Sequence, residues 1–173
     1  MPGGLPPGMP NMAQMQLAMA QNGVGQQKTA VNWRLLMPLL SDDLAGWKAK
    51  ADATGETTAA GAISVSKVER QYEKDGHQTR VEIFDTAVMP MVANAFQMLR
   101  MTTSDGSDHY SRGFDLGGNP GWEDWRKNGS GEVTALIGGR FLIKAGTSGL
   151  SDTKPLVELL GSVDIGKLAS LNK

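Results

Sequence analysis

Acid-base and nucleophilic chemistry in this 173-residue chain has few residues to draw on. Cysteine is absent, which removes thiolate catalysis, thiolate metal ligands and disulfides. A serine or threonine nucleophile needs a neighbouring base, and only His77 and His109 are available. His77 follows the turn pair Asp75-Gly76 and reads as a solvated loop residue. His109 closes the run Asp105-Gly-Ser-Asp108-His109, which gathers two carboxylates and an imidazole within five positions. Asp105, Asp108 and His109 therefore form a candidate cation site. The run lacks the alternating ligands and distal Glu of a calcium loop, and ordinary loop polarity explains the same residues. Glu123 and Asp124 resemble an acid pair, but neighbouring strand positions point to opposite faces and cannot address one substrate together. Trp122 and Trp125 flank them. The same alternation sends one ring to the core and the other to the surface, where an exposed tryptophan suits a partner contact.

The glycine-rich stretches 117–121 and 128–131 lack the strand–GxGxxG–helix or Gly-Lys-Thr setting of a phosphate cradle and read as hairpin turns. Asn128-Gly-Ser130 matches a glycosylation acceptor, a pattern short enough to recur by chance. A net charge of -1 and a pI near 6.1 supply no basic field for nucleic acid or anionic lipid. No stretch approaches the roughly 18–20 apolar residues that span a bilayer. The first residues lack the basic and unbroken apolar regions of a signal peptide, so an exported protein would appear here in processed form. No cofactor is implied.

These residues need elements to position them. The central one is Glu132–Ala145, where two apolar runs meet at Gly138-Gly139, a pair able to take the positive φ angles of a two-residue hairpin. Val133, Ala135 and Ile137 share a face. On the return, Phe141, Ile143 and Ala145 alternate with Arg140 and Lys144. Upstream, Asp75-Gly76 turns a long hairpin whose return strand, 79–86, points Val81 and Ile83 inward and Arg80 and Glu82 outward. In its first strand, Ile63 and Val65 fall on one parity and Val68 and Tyr72 on the other, which predicts a bulge near Ser66-Lys67. Strands are also expected at 109–116 and 122–127.

Asn32 can cap a helix from Trp33 that Pro38 limits, and 48–58 reads as a polar connection. Pro90 suits the first turn of a helix over 91–101, with a core-facing stripe of Met91, Val92, Ala95, Met98 and Leu99. Pro155 opens a last helix burying Leu156, Leu159, Leu160 and Val163, followed by a short amphipathic tail with Ile165, Leu168 and Leu171. The expected fold is α+β: an antiparallel twisted meander of about six strands covered by three helices on both faces, an α-β-α sandwich.

Residues 1–30 form an uncharged Pro/Gly/Met-rich extension (Lys28 excepted), and 31–173 form the single sandwich domain, without internal repeats. The prolines of the extension favour an extended path, while Asn11–Asn22 reads as helical with Met12, Met15 and Met19 on one face. Two readings stay open: a disordered tail, or a docking segment in which Leu5, Met9, Met12, Met15 and Met19 contact a partner, methionine being suited to adaptable surfaces.

The phrases Leu39-Leu40…Leu44-Ala45-Gly46-Trp47, Val81-Glu-Ile-Phe-Asp85 and Gly138-Gly-Arg-Phe-Leu-Ile143, with the Leu-rich C-terminal helix, resemble small bacterial envelope proteins and lipoproteins that share the PsbP-like α-β-α sandwich. The resemblance spans about residues 31–171. It implies an accessory role in the cell envelope or periplasm, peripheral to a membrane. It carries over no functional residue, and the lipidated cysteine common in such proteins has no counterpart here. Without a catalytic cluster, the expected function is that of a non-enzymatic accessory subunit. It would dock through its N-terminal extension, with Trp122 or Trp125 as a second contact, into a larger membrane-associated protein assembly. The alternatives are a small-ligand or cation-binding envelope module, and then an enzyme with a pocket of scattered residues.

Overall fold

A computed structural model describes residues 29–172 apart from 61–62, 88–89 and 100. The proposed contact residues Leu5, Met9, Met12, Met15 and Met19 lie outside the described residues. Asn32 caps α1 (Trp33–Leu36) by accepting from the Arg34 amide at 3.0 Å, and Pro38 turns the next residues into a 3₁₀ turn (Met37–Leu39). Then follow β1 (Asp43–Leu44), β2 (Trp47–Ala49), β3 (Thr54–Ala60), β4 (Ile63–Lys74), β5 (His77–Asp85) and α2 (Pro90–Leu99). The second half comprises β6 (Ser104–Asp105), β7 (His109–Leu116), β8 (Asn119–Arg126), β9 (Gly131–Ile137), β10 (Phe141–Thr147), α3 (Lys154–Gly161) and α4 (Ile165–Ser170).

All ten strands belong to one antiparallel sheet in the order β1-β2-β4-β5-β10-β9-β8-β7-β6, with β3 also paired to β4. The join between the two halves is β5 against β10, where Asp85 faces Phe141 and Ile83 faces Ile143. One row of inward positions crosses six strands as Val68, Ile83, Ile143, Ala135, Gly121 and Phe114. α1, α3 and α4 lay Leu36, Leu156, Leu159, Leu160 and Leu168 into the same core. Full burial of each such side chain contributes roughly 1.5–3 kcal/mol.

The six-strand sandwich with three covering helices is thus overturned. The sheet has ten strands, and the described helices are four and short. The residues read as a polar connection form β3, which Thr and Ala side chains do not announce. Its Gly55 allows a close approach: an added Cβ would lie 2.8 Å from the Trp33 ring and 2.9 Å from the Lys67 carbonyl. The bulge in β4 is absent. Pairing with β5 is regular from Ser66↔Asp85 to Lys74↔His77, and with β3 from Ile63 to Glu69. Ser64 and Ser66, not Val65, hold the inward positions, and the Ile63 side chain lies outside those described. The two serine hydroxyls bond the Ala30 amide (2.8 Å) and the Thr57 hydroxyl (2.6 Å).

α2 adds no residue to the core that α1, α3 and α4 share. Val92 and Ala93 are half-buried, Phe96 is buried, and the expected stripe of Met91, Ala95, Met98 and Leu99 is exposed. Both faces of α2 are apolar, so periodicity alone could not choose between them. Arg140 departs from the expected alternation too. It belongs to the Gly138-Gly139 turn (φ 58° and 69°), precedes β10, and is buried against Asp85. Asp75-Gly76 turns as read, with φ 52° and 79°, whereas the expected turn over 117–121 shrinks to Gly117-Gly118, because Asn119, Pro120 and Gly121 pair with β7 as the start of β8.

Candidate functional site

The face opposite the core is polar. Across β5, β10, β9 and β8, one outward row is Arg80, Gly146, Glu132 and Asp124, and the next is Glu82, Lys144, Thr134 and Trp122. These rows floor an open groove of about 860 Å³, lined also by Ser130 and Ser148. Gly146 leaves a gap in the floor between Arg80 and Glu132.

The carboxylates here are partnered. Glu132 meets Lys144 at 3.0 Å, Asp124 accepts from Ser111, and Glu82 meets Lys67 at 2.9 Å. Lys67 also bonds Glu69 at 2.6 Å; these contacts raise the Lys67 ammonium above its ordinary value and hold the Glu69 carboxyl below its own. The guanidinium groups are less committed. Arg80 reaches Glu69 only at 3.9 Å with 51% of its side chain exposed, and Arg126 reaches Asp124 only at 3.7 Å with 67% exposed. Three strand spacings set their strands about 14 Å apart. Trp122, half-buried and two outward positions along β8 from Arg126, has no hydrogen-bond partner for its indole N–H among the described residues. The groove therefore offers two open cationic forks and one aromatic ring to a ligand rich in acceptors.

Other sequence candidates fall elsewhere. Trp125 faces the core side, stacked on Tyr110 (centroids 5.5 Å apart), with its N–H donating to the Leu150 carbonyl at 3.1 Å. Glu123 is buried, bound by Arg112 and by the Thr153 hydroxyl. Because Thr153 gives its proton to Glu123, Tyr110 must donate to Thr153, at 2.9 Å. Glu123 and Asp124 thus point to opposite faces, and Trp122 and Trp125 do the same.

His109 is internally satisfied. Nδ1 donates to Asp108 at 2.8 Å, holding that carboxyl below its ordinary value, and Nε2 lies 3.0 Å from the Ser104 hydroxyl. Asp105, in β6, pairs with Tyr110 in the ladder. Among the described residues, no three His, Asp or Glu side chains are arranged to hold a metal ion. His77 begins β5, with Nδ1 at 3.4 Å from the Ser148 carbonyl.

The second unusual surface is apolar. Met98 is 74% and Met101 84% exposed, with Met91 and Leu99 about half exposed. Met91, Ala95 and Met98 recur at i, i+4 and i+7, one face of a helix. Residues 86–99 carry no charged side chain, as residues 1–27 carry none. Sequence reading found this stripe and assigned it to the core. The groove it missed, although the outward aim of Arg80, Glu82 and Lys144 was legible, because only the β5–β10 pairing gathers them.

No protein family, curated protein or solved structure matches the chain, so the PsbP-like resemblance gains no support from them.

Proposed function

We propose that this protein is a non-enzymatic accessory subunit of a larger assembly, which it contacts through uncharged, methionine-rich surfaces: its N-terminal extension and the stripe on α2. The observation that carries this reading is the stripe itself, three large apolar side chains (Met91, Met98 and Leu99) held in water on a helix that buries Phe96, with Met101 exposed just beyond its end. Methionine repacks at low cost against differently shaped partners, which suits docking better than catalysis. An envelope or periplasmic, membrane-peripheral setting is the part of the proposal that rests on the sequence resemblance alone. Among the described residues no helix is long and apolar enough to cross a membrane.

Native electrophoresis of gently lysed source cells tests it. The 18.4 kDa chain should migrate within a larger complex, and Met91→Glu with Met98→Glu should release it while its circular dichroism stays unchanged. A wild-type chain migrating alone overturns the proposal. The groove favours a second reading, a small-ligand module for acceptor-rich ligands. A thermal-shift screen of carboxylates and saccharides should then find a ligand whose effect Arg126→Ala and Trp122→Ala each abolish.

A further inference from the structure

We infer that residues 11–22 of the same chain cover the α2 stripe when no partner is bound, so that the extension acts as a removable cap on the docking surface. This deepens the reading above, since it concerns the same stripe. Three independent observations name the occupant.

The first is composition. Eight of the ten methionines lie either in residues 1–27 or in residues 86–99, and neither stretch carries a charged side chain. Neither therefore has an ionic reason to prefer water or a charged partner. Met12, Met15 and Met19 repeat at helical spacing as Met91 and Met98 do, and each stripe supplies the soft apolar surface the other lacks.

The second is the anchor. The extension emerges from a fixed point: the Thr29 carbonyl accepts from Arg140 Nη2 at 3.1 Å, the Ala30 amide donates to Ser64, and the Val31 amide donates to Asp85 at 2.7 Å. Asp85 is also the last residue of β5, from which the chain leads to α2.

The third is reach. Five residue steps separate Asp85 from Pro90, at most about 18 Å. Residues 23–28, extended, span roughly 20 Å, enough to bring Asn22 beside the start of α2. As a helix, residues 11–22 would be about 18 Å long against about 15 Å for α2. A tether this short holds the extension at an effective concentration of order millimolar, so even a contact with a dissociation constant near 0.1 mM would be made about ten times out of eleven. An outside partner must outcompete it.

The chain's lack of cysteine makes the test clean. Residues 12, 15 and 19 would each be paired with position 91 or 98 as double cysteine variants (Met15→Cys with Met98→Cys, and so on). Each would be oxidised mildly at micromolar protein. At least one pair should close an intramolecular disulfide at least tenfold faster than Met15→Cys paired with Thr134→Cys on the outward face of the sheet. Deleting residues 1–28 should speed hydrogen exchange of α2 amides and leave β9 and β10 unchanged. Disulfides only between chains would mean that a second copy covers the stripe, and no preferential disulfide would mean that nothing in this chain does. Either result overturns the cap, while the larger complex above could still form, so the two proposals fail separately.

Discussion

Arg140 and Asp85 form a two-pronged ion pair inside the protein, Nε to Oδ1 and Nη2 to Oδ2, each at 2.8 Å. Both side chains are almost wholly buried, and the pair bolts the end of β5 to the start of β10, the junction between the two halves of the sheet. The Asp85 oxygens also accept from the Val31 and Ala87 amides, and Arg140 holds the Thr29 carbonyl. A buried pair of this kind gains little over apolar residues but costs dearly when halved. Arg140→Met should lower unfolding free energy by about 3–5 kcal/mol, because it strands the Asp85 carboxylate. Adding Asp85→Leu should recover part of that loss. Urea denaturation reads both, and a single-variant loss under 1 kcal/mol would show that the pair is not structural.

Gly55 sits where α1 crosses β3. Gly55→Ala must push aside the Val68 side chain, the Trp33 ring and the Lys67 carbonyl together, an overpacking that costs typically about 1–3 kcal/mol. Trp33→Leu in the same chain should relieve part of it. If Gly55→Ala melts at the wild-type temperature, the close approach of Trp33 is wrong.

Tyr72 is buried, with its hydroxyl donating to the Ser41 carbonyl at 2.8 Å, and burial pushes its phenol up to about 12 from an ordinary 10.0. The folded state thus favours the neutral phenol. The resulting stability is complete below pH 10 and is lost as pH rises from 10 towards 12. Ultraviolet titration should show a phenolate step near pH 12 that Tyr72→Phe abolishes. In Tyr72→Phe, stability should fall less steeply over that window than in the wild type. A step for Tyr72 near pH 10 would contradict its burial.

The two sides of α2 should respond oppositely to substitution. Phe96→Ala removes the buried side and should cost about 3 kcal/mol, in line with large-to-small core changes. Met98→Glu alters the exposed side and should change stability by less than about 0.5 kcal/mol. Thermal melts of both variants would check the orientation of the helix, and a reversed ranking would mean that the stripe, not Phe96, is the anchored side.

Local chemistry alone determined much of this protein. Asp75-Gly76 and Gly138-Gly139 announce their hairpins because few other pairs tolerate positive φ at both positions, and Pro38, Pro90 and Pro155 mark helix edges through their fixed φ. Alternation correctly placed Val81, Ile83, Ile143 and the opposed pair Trp122 and Trp125, since a strand has only two faces. What the tertiary structure decided lies in contacts between segments far apart in the chain. β3 is a strand because β4 offers it an edge, although its Thr, Gly and Ala residues signal nothing by themselves. Arg140 is buried because Asp85 awaits it across 55 positions. α2 buries Phe96 and leaves its methionines in water because a helix whose apolar residues spread over more than one face takes its orientation from what it meets. The groove exists only because β5 lies against β10, which sets Arg80 on one surface with Trp122 and Arg126 of β8. Spacing along a chain records periodicity, and it holds no record of which strand becomes whose neighbour.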